Sequence, residues 1–90
     1  MNDNKPTELD LRRRRAAYRA AHRGTKEMDI MIGGYAAAML PTLVDPALAQ
    51  FELFLALPDP DLQKWVLNGE PVEPAAFAPL VADVRTFHGL

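Results

Sequence analysis

The placement of proline limits this chain more than any other feature of its sequence. Pro6 is followed by none until Pro41, after which Pro46, Pro58, Pro60, Pro71, Pro74 and Pro79 divide the remainder. A proline inside a helix removes a backbone donor and clashes with the preceding turn. The longest regular elements must therefore lie between Thr7 and Leu40, and those after Pro41 must be short. Val and Ile together number seven against thirty Ala, Leu and Met, a balance that favours helix because β-branched side chains lose rotamer freedom there. Setting Ala aside, thirty larger apolar side chains remain among ninety residues, enough for one small core and one domain.

Helix boundaries follow from local chemistry. Thr7 with Asp10 three residues on resembles a capping box opening a first helix that runs to about His22 or Arg23. Gly24 fits a left-handed closing position, and Thr25 can cap a second helix over about Lys26 to Leu40. Its apolar stripe is Met28, Met31, Ile32, Tyr35 and Met39. Asp45-Pro46 reads as N-cap and first position of a third helix to about Ala56, with Leu48, Phe51 and Leu55 inward. Asp59-Pro60 repeats that signal for a fourth helix carrying Leu62, Trp65 and Val66 and ending at Asn68-Gly69. The last helix begins at Glu73-Pro74 or at Ala78-Pro79, with Phe77, Leu80, Val81, Val84 and Phe87 along one side. The expected architecture is all-α, a compact five-helix bundle over residues 9–90 preceded by a mobile polar tail at 1–8.

Several function classes drop out. Cysteine is absent, which excludes disulfides, iron–sulfur ligation and thiolate zinc sites, and His22 and His88 are too few for a histidine metal cluster. A chain this small has no room for a dinucleotide cofactor and a substrate pocket beside its core, so no catalytic, cofactor or metal site is expected. No apolar run approaches the roughly 20 residues that span a bilayer. The polar start, Met1 to Lys5, is not followed by the apolar stretch of a secretory signal. A cytoplasmic monomer without membrane insertion is the expectation.

The net charge of −2 conceals a division: residues 1–26 carry eight basic and three acidic side chains, and residues 27–90 carry two and nine. At 100° per residue, Arg12, Arg15, Arg19 and Arg23 fall within an arc of roughly 80° on the first helix. Ala16, Ala17, Ala20 and Ala21 lie on the other side, where they let a neighbouring helix come close. The guanidinium stripe suits carboxylates or phosphates, and equally suits a solvated face with intramolecular ion pairs. It ends at a turn, His22-Arg23-Gly24-Thr25-Lys26-Glu27, whose residues also have structural uses: Arg23 at a helix end, Thr25 as cap, Glu27 in a first turn.

Arg23-Gly24-x-x-Glu27, followed by Met28-Asp29, resembles the Arg-Gly-x-x-Glu signature of the succinate dehydrogenase flavinylation factors. Phe51-Glu52-x-x-Leu55 with Asp59-Pro60-Asp61-Leu62-x-x-Trp65 and the glycine beyond it resembles that family's segment joining its third and fourth helices. The likeness runs from about Arg12 to Val84. It departs at Ala16-Ala17-Tyr18 and Ala21, where relatives carry bulkier residues, and at Gly33-Gly34 in the second helix, which allow either a bend or tight packing. The resemblance implies an assembly factor, not an enzyme. Its client is the flavoprotein subunit of succinate dehydrogenase, and in some organisms fumarate reductase, on which it promotes covalent attachment of FAD. The bond joins a client histidine to the flavin 8α-methyl carbon, so the FAD and the reacting groups belong to the client. By that match Arg23 is a directional donor to the client, Gly24 a place where another backbone approaches, and Glu27 the anionic counterpart. Arg19 and Arg15 extend this surface along the stripe. Two alternatives stay open: a small nucleic-acid binder using the Arg-rich helix, against which a pI near 5.6 counts, and a helical adapter for another client.

Overall fold

The computed structural model of the chain describes residues 5–90, and 71% of it is helical. Helix α1 spans Glu8–Ala21 and α2 spans Lys26–Met39, the two lying in the proline-free stretch. A 3₁₀ turn, Leu40–Thr42, takes up Pro41, and α3 (Ala47–Leu55) and α4 (Asp59–Val66) follow. A second 3₁₀ turn, Ala75–Phe77, leads directly into α5, Ala78–Phe87, with Pro79 in its first turn where the missing N–H costs nothing. Of the two expected starts, the last helix takes the later one, Ala78-Pro79, so Pro79 opens it and does not kink it. No strand occurs among the described residues.

The Thr7–Asp10 capping box forms in both directions, so Thr7 and Glu8 of the expected tail belong to the start of α1. Met1 to Asn4 of that tail lie outside the described residues. Thr25 caps α2 by accepting from the Met28 amide at 3.3 Å. At α3 the expected register shifts: Pro46 precedes the helix, and Asp45 caps from one residue further back, accepting from the Ala49 amide at 3.1 Å. At α4 the start shifts by one residue the other way, because Pro58 holds the N-cap position and Asp59 is the first helical residue.

The core is a single cluster drawn from all five helices. Ala16 and Ala20 of α1 face α2, and this contact is close because Gly33 stands opposite. A Cβ added to Gly33 would lie 3.0 Å from the Ala21 Cα and 3.4 Å from the Ala20 carbonyl oxygen. Small residues on α1 and glycine on α2 thus let two backbones meet, and α2 runs through the glycine pair without a break. Gly34 serves the other flank of α2, where the His88 ring would sit 3.3 Å from its Cβ. His88 is half-buried: its Nε2 lies 2.6 Å from the Met31 carbonyl and its ring meets Phe87 edge-on.

The expected inward faces of α3 and α4 are buried in full, and Phe54 joins them. Met39 and Phe87 depart from expectation, being 38% and 48% exposed. Each lies at the end of its helix, where the neighbouring element no longer covers the stripe. Phe87 still packs its ring edge-on to Tyr35 at 5.8 Å.

Candidate functional site

The α1–α2 turn is held from outside itself. Helix α1 stops at Ala21 with His22 in an irregular conformation, and the chain passes through Arg23 and Gly24 before Thr25 starts α2. The Arg23 amide donates to the Asp29 carboxylate, which folds the first turn of α2 back onto the loop. The Arg23 guanidinium points inward. Its Nη1 donates to the Leu55 carbonyl at 2.7 Å and its Nη2 to the Leu57 carbonyl at 3.1 Å. The Leu55 carbonyl, at the last residue of α3, is among those a helix end leaves without an internal partner, and a cation there also meets the negative end of the helix. The Nε of Arg23 donates to Asp59 Oδ1 at 2.8 Å, while Asp59 Oδ2 accepts from the Gly24 amide at 2.7 Å.

This corrects two expectations about the turn. Gly24 is not in the left-handed region, which among the described glycines only Gly69 and Gly89 adopt. What it provides is proximity to the Asp59 carboxylate. Asp59, read as a cap, directs its carboxylate away from its own helix and across to a residue thirty-five positions earlier. Neither Asp59 nor Asp29 carried a signal of this in the sequence beyond its acidity, because the pairing exists only once α4 has come against the turn.

The five residues expected to meet a client are placed as follows. Arg23, Gly24 and Glu27 come together at the turn, with Gly24 and Glu27 exposed and the Arg23 side chain only 9% exposed. Glu27, in the first turn of α2, has no ion-pair partner among the described residues. Arg19 and Arg15 lie one and two helical turns back from Arg23, and both are exposed. Beside them Tyr18, 65% exposed, stacks on His22 with ring centroids 4.0 Å apart. That pair at spacing four was legible in the sequence but was not singled out.

The other end of the stripe is committed to the fold. Arg12 forks between two carboxylates, reaching Asp45 at 2.7 and 3.0 Å and Glu52 at 2.6 and 3.2 Å. The guanidinium holds both carboxyls below their ordinary values of 3.8 and 4.5, chiefly through these hydrogen bonds. A lowered carboxyl stabilises the folded chain only while ionised, so the contribution is present above the unfolded values and lost as pH falls through the folded ones. Thermal melts taken from about pH 6 down to pH 3 should therefore show a steeper loss of stability in the wild type than in Arg12→Ala. Equal slopes would show the network to be screened to nothing, as exposed pairs can be. Arg13 is also engaged, its Nε donating to the Leu43 carbonyl at 2.9 Å.

A nearly buried arginine and a distant aspartate hold an interhelical turn at the surface, which defines the class: a small helical bundle with a fixed, exposed turn. The chain belongs to the Sdh5 family, described as flavinator of succinate dehydrogenase, whose profile matches residues 14–88. It is 40% identical over 73 residues to the FAD assembly factor SdhE of Acetobacter pasteurianus, an alignment covering 81% of this chain and 67% of that protein. It is 31% identical over 66 residues to succinate dehydrogenase assembly factor 2, mitochondrial, of Dictyostelium discoideum, covering 73% of this chain. The chain spans 47% of that longer relative. No helix among the described residues is long and apolar enough to cross a membrane.

Proposed function

We propose that this chain docks on the flavoprotein subunit of succinate dehydrogenase and promotes covalent attachment of its FAD, with Gly24, Glu27, Arg19 and Arg15 meeting the client. The observation that carries the reading is the anchored turn: its backbone amides are held by the carboxylates of Asp29 in α2 and Asp59 in α4, while Glu27 is exposed with no ion-pair partner among the described residues. Preorganised geometry of this kind lowers the ordering cost of docking and gives direction to a charged contact. Arg23 has its donors engaged inside the protein and contributes through the shape of the turn. The chemistry is completed in the client, where the histidine and the flavin are held in reacting geometry.

FAD fits the client better than this chain. A depression of about 350 Å³ between Trp65, Gly69 and Arg85 offers one guanidinium to a diphosphate, and Arg85 is already bonded to the Val66 carbonyl at 2.7 Å. Glu70 lines the same depression and repels an anion. A nucleic-acid interface along α1 is disfavoured in turn, because Arg12 and Arg23 engage all three guanidinium nitrogens within the protein and Arg13 its Nε.

The experiment is reconstitution of purified apo flavoprotein subunit with FAD, with and without this chain, followed by in-gel flavin fluorescence after denaturation. Added chain should raise covalent FAD. Glu27→Ala should lose about tenfold or more of that gain, as a central interface residue does, while melting within a few degrees of the wild type. Covalent FAD that is the same with and without the chain sinks the proposal.

A further inference from the structure

Glycine at position 24 is not demanded by backbone conformation, since its φ is not positive. It is demanded by a neighbour. A Cβ there would lie 2.9 Å from Asp59 Oδ2, closer than side-chain carbons come to other atoms, and 3.9 Å from Asp59 Cγ. Those are the described atoms within 4 Å of that position apart from the adjoining chain.

Both oxygens of Asp59 are in use, one on the Arg23 side chain and one on the Gly24 amide. The carboxylate is itself set by its place at the first residue of α4, between Pro58 and Pro60, whose rings restrict the backbone on either side. Arg23 cannot yield to it, because its remaining donors are fixed on the end of α3. The three groups form a bracket with one free consequence, the orientation of the backbone from Gly24 to Glu27.

We propose that Asp59 is a positioning residue for the docking turn: held by Arg23, its carboxylate fixes the Gly24 amide, and it is this carboxylate, not the approach of a client, that requires glycine at 24. The inference rests on the docking function proposed above and adds a residue outside the turn to it. Without Asp59 the chain still folds, but the turn samples several conformations and must be ordered anew when the client binds.

The test uses the full chain with Asp59→Ala, Gly24→Ala and the two combined. In Asp59→Ala the exchange of the Gly24 amide should rise at least about tenfold more than that of the Phe54 and Val84 amides, as for a local opening. The concentration of chain giving half-maximal covalent flavinylation of the apo subunit should rise about tenfold while the plateau rate stays within about twofold, the mark of an ordering cost at binding. Gly24→Ala should bring a similar loss in the Asp59 background and add less than about twofold in the Asp59→Ala background, because the pair acts as one unit. Equal cost of Gly24→Ala in both backgrounds overturns the inference, since the requirement for glycine at 24 would then come from something other than Asp59. Core amides speeded as much as the Gly24 amide overturn it too, because Asp59 would then be supporting the whole fold and not the turn in particular. Asp59→Asn, which keeps the bulk and one acceptor, gives the same reading in reduced size if Asp59→Ala yields too little folded protein. A wild-type chain that raises no covalent FAD sinks the docking function itself, and the exchange measurement still decides whether Asp59 holds the turn.

Discussion

Gly24→Arg should melt roughly 10–20 °C below the wild type and return covalent FAD in the client to the level seen with no added chain. The side chain has no room to leave Gly24 while Asp59 Oδ2 stays where it is. If the carboxylate moves, the Gly24 amide and the Arg23 Nε both lose their acceptor. Charge-assisted hydrogen bonds contribute about 1.5–3 kcal/mol, and a nearly buried guanidinium left partly unpaired adds to the loss. A total of about 2–3 kcal/mol is a large share of what a domain this size has, and each kcal/mol moves the midpoint by about 4–8 °C. The functional loss should exceed the loss of folded protein, because the new cation also stands beside Glu27 on the docking face. Circular dichroism melts paired with in-gel flavin fluorescence check both; a variant that melts with the wild type and still flavinylates would show that the bracket is dispensable.

Phe54→Ala should cost about 3–5 kcal/mol, the largest loss expected from a single core truncation here. Phe54 is fully buried, stacked on Phe51 at 6.2 Å and tilted against Phe77 at 6.0 Å, so it joins α3 to the segment that starts α5. Small domains have roughly 0.05–0.15 kcal/mol of stability per residue, which leaves this variant close to unfolding at ordinary temperature. Urea titration followed at 222 nm should shift its midpoint by more than about 1 M. A loss under about 1 kcal/mol would mean that Phe51 and Phe77 close over the space, which aromatic rings held at both ends have little freedom to do.

Phe54 also marks where sequence reading stopped. One buried stripe of Leu48, Phe51 and Leu55 was legible because a surface helix has one inner face. Phe54 is buried because α3 lies against α1 on one side and the Ala75–Phe77 turn on the other, and that second neighbour is a tertiary fact. Helix number and starts were legible almost throughout, since proline, threonine and aspartate act locally through donors and φ. The reversals have one cause in common. Asp59 reads as a cap and His88 as a residue without a structural role because nothing nearby in the chain needs them, yet each is held by a partner far along the sequence: Asp59 on the turn, His88 on the Met31 carbonyl fifty-seven residues away. Charge type and position were readable; which charges the fold would consume was not. Of the four arginines on the stripe, Arg12 and Arg23 are consumed and Arg15 and Arg19 remain outward.

The reach of the Asp59 bracket also sets an order of events. Helices α1 and α2 can form early from local contacts, but the turn between them takes its final shape only when α4 arrives, after closure of a loop of thirty-five residues. A chain still emerging from synthesis, or one cut after α3, contains Arg23 to Glu27 as sequence and not as a surface. The turn is thus a certificate of completed folding, and a client that docks there as proposed selects finished molecules over unfinished ones.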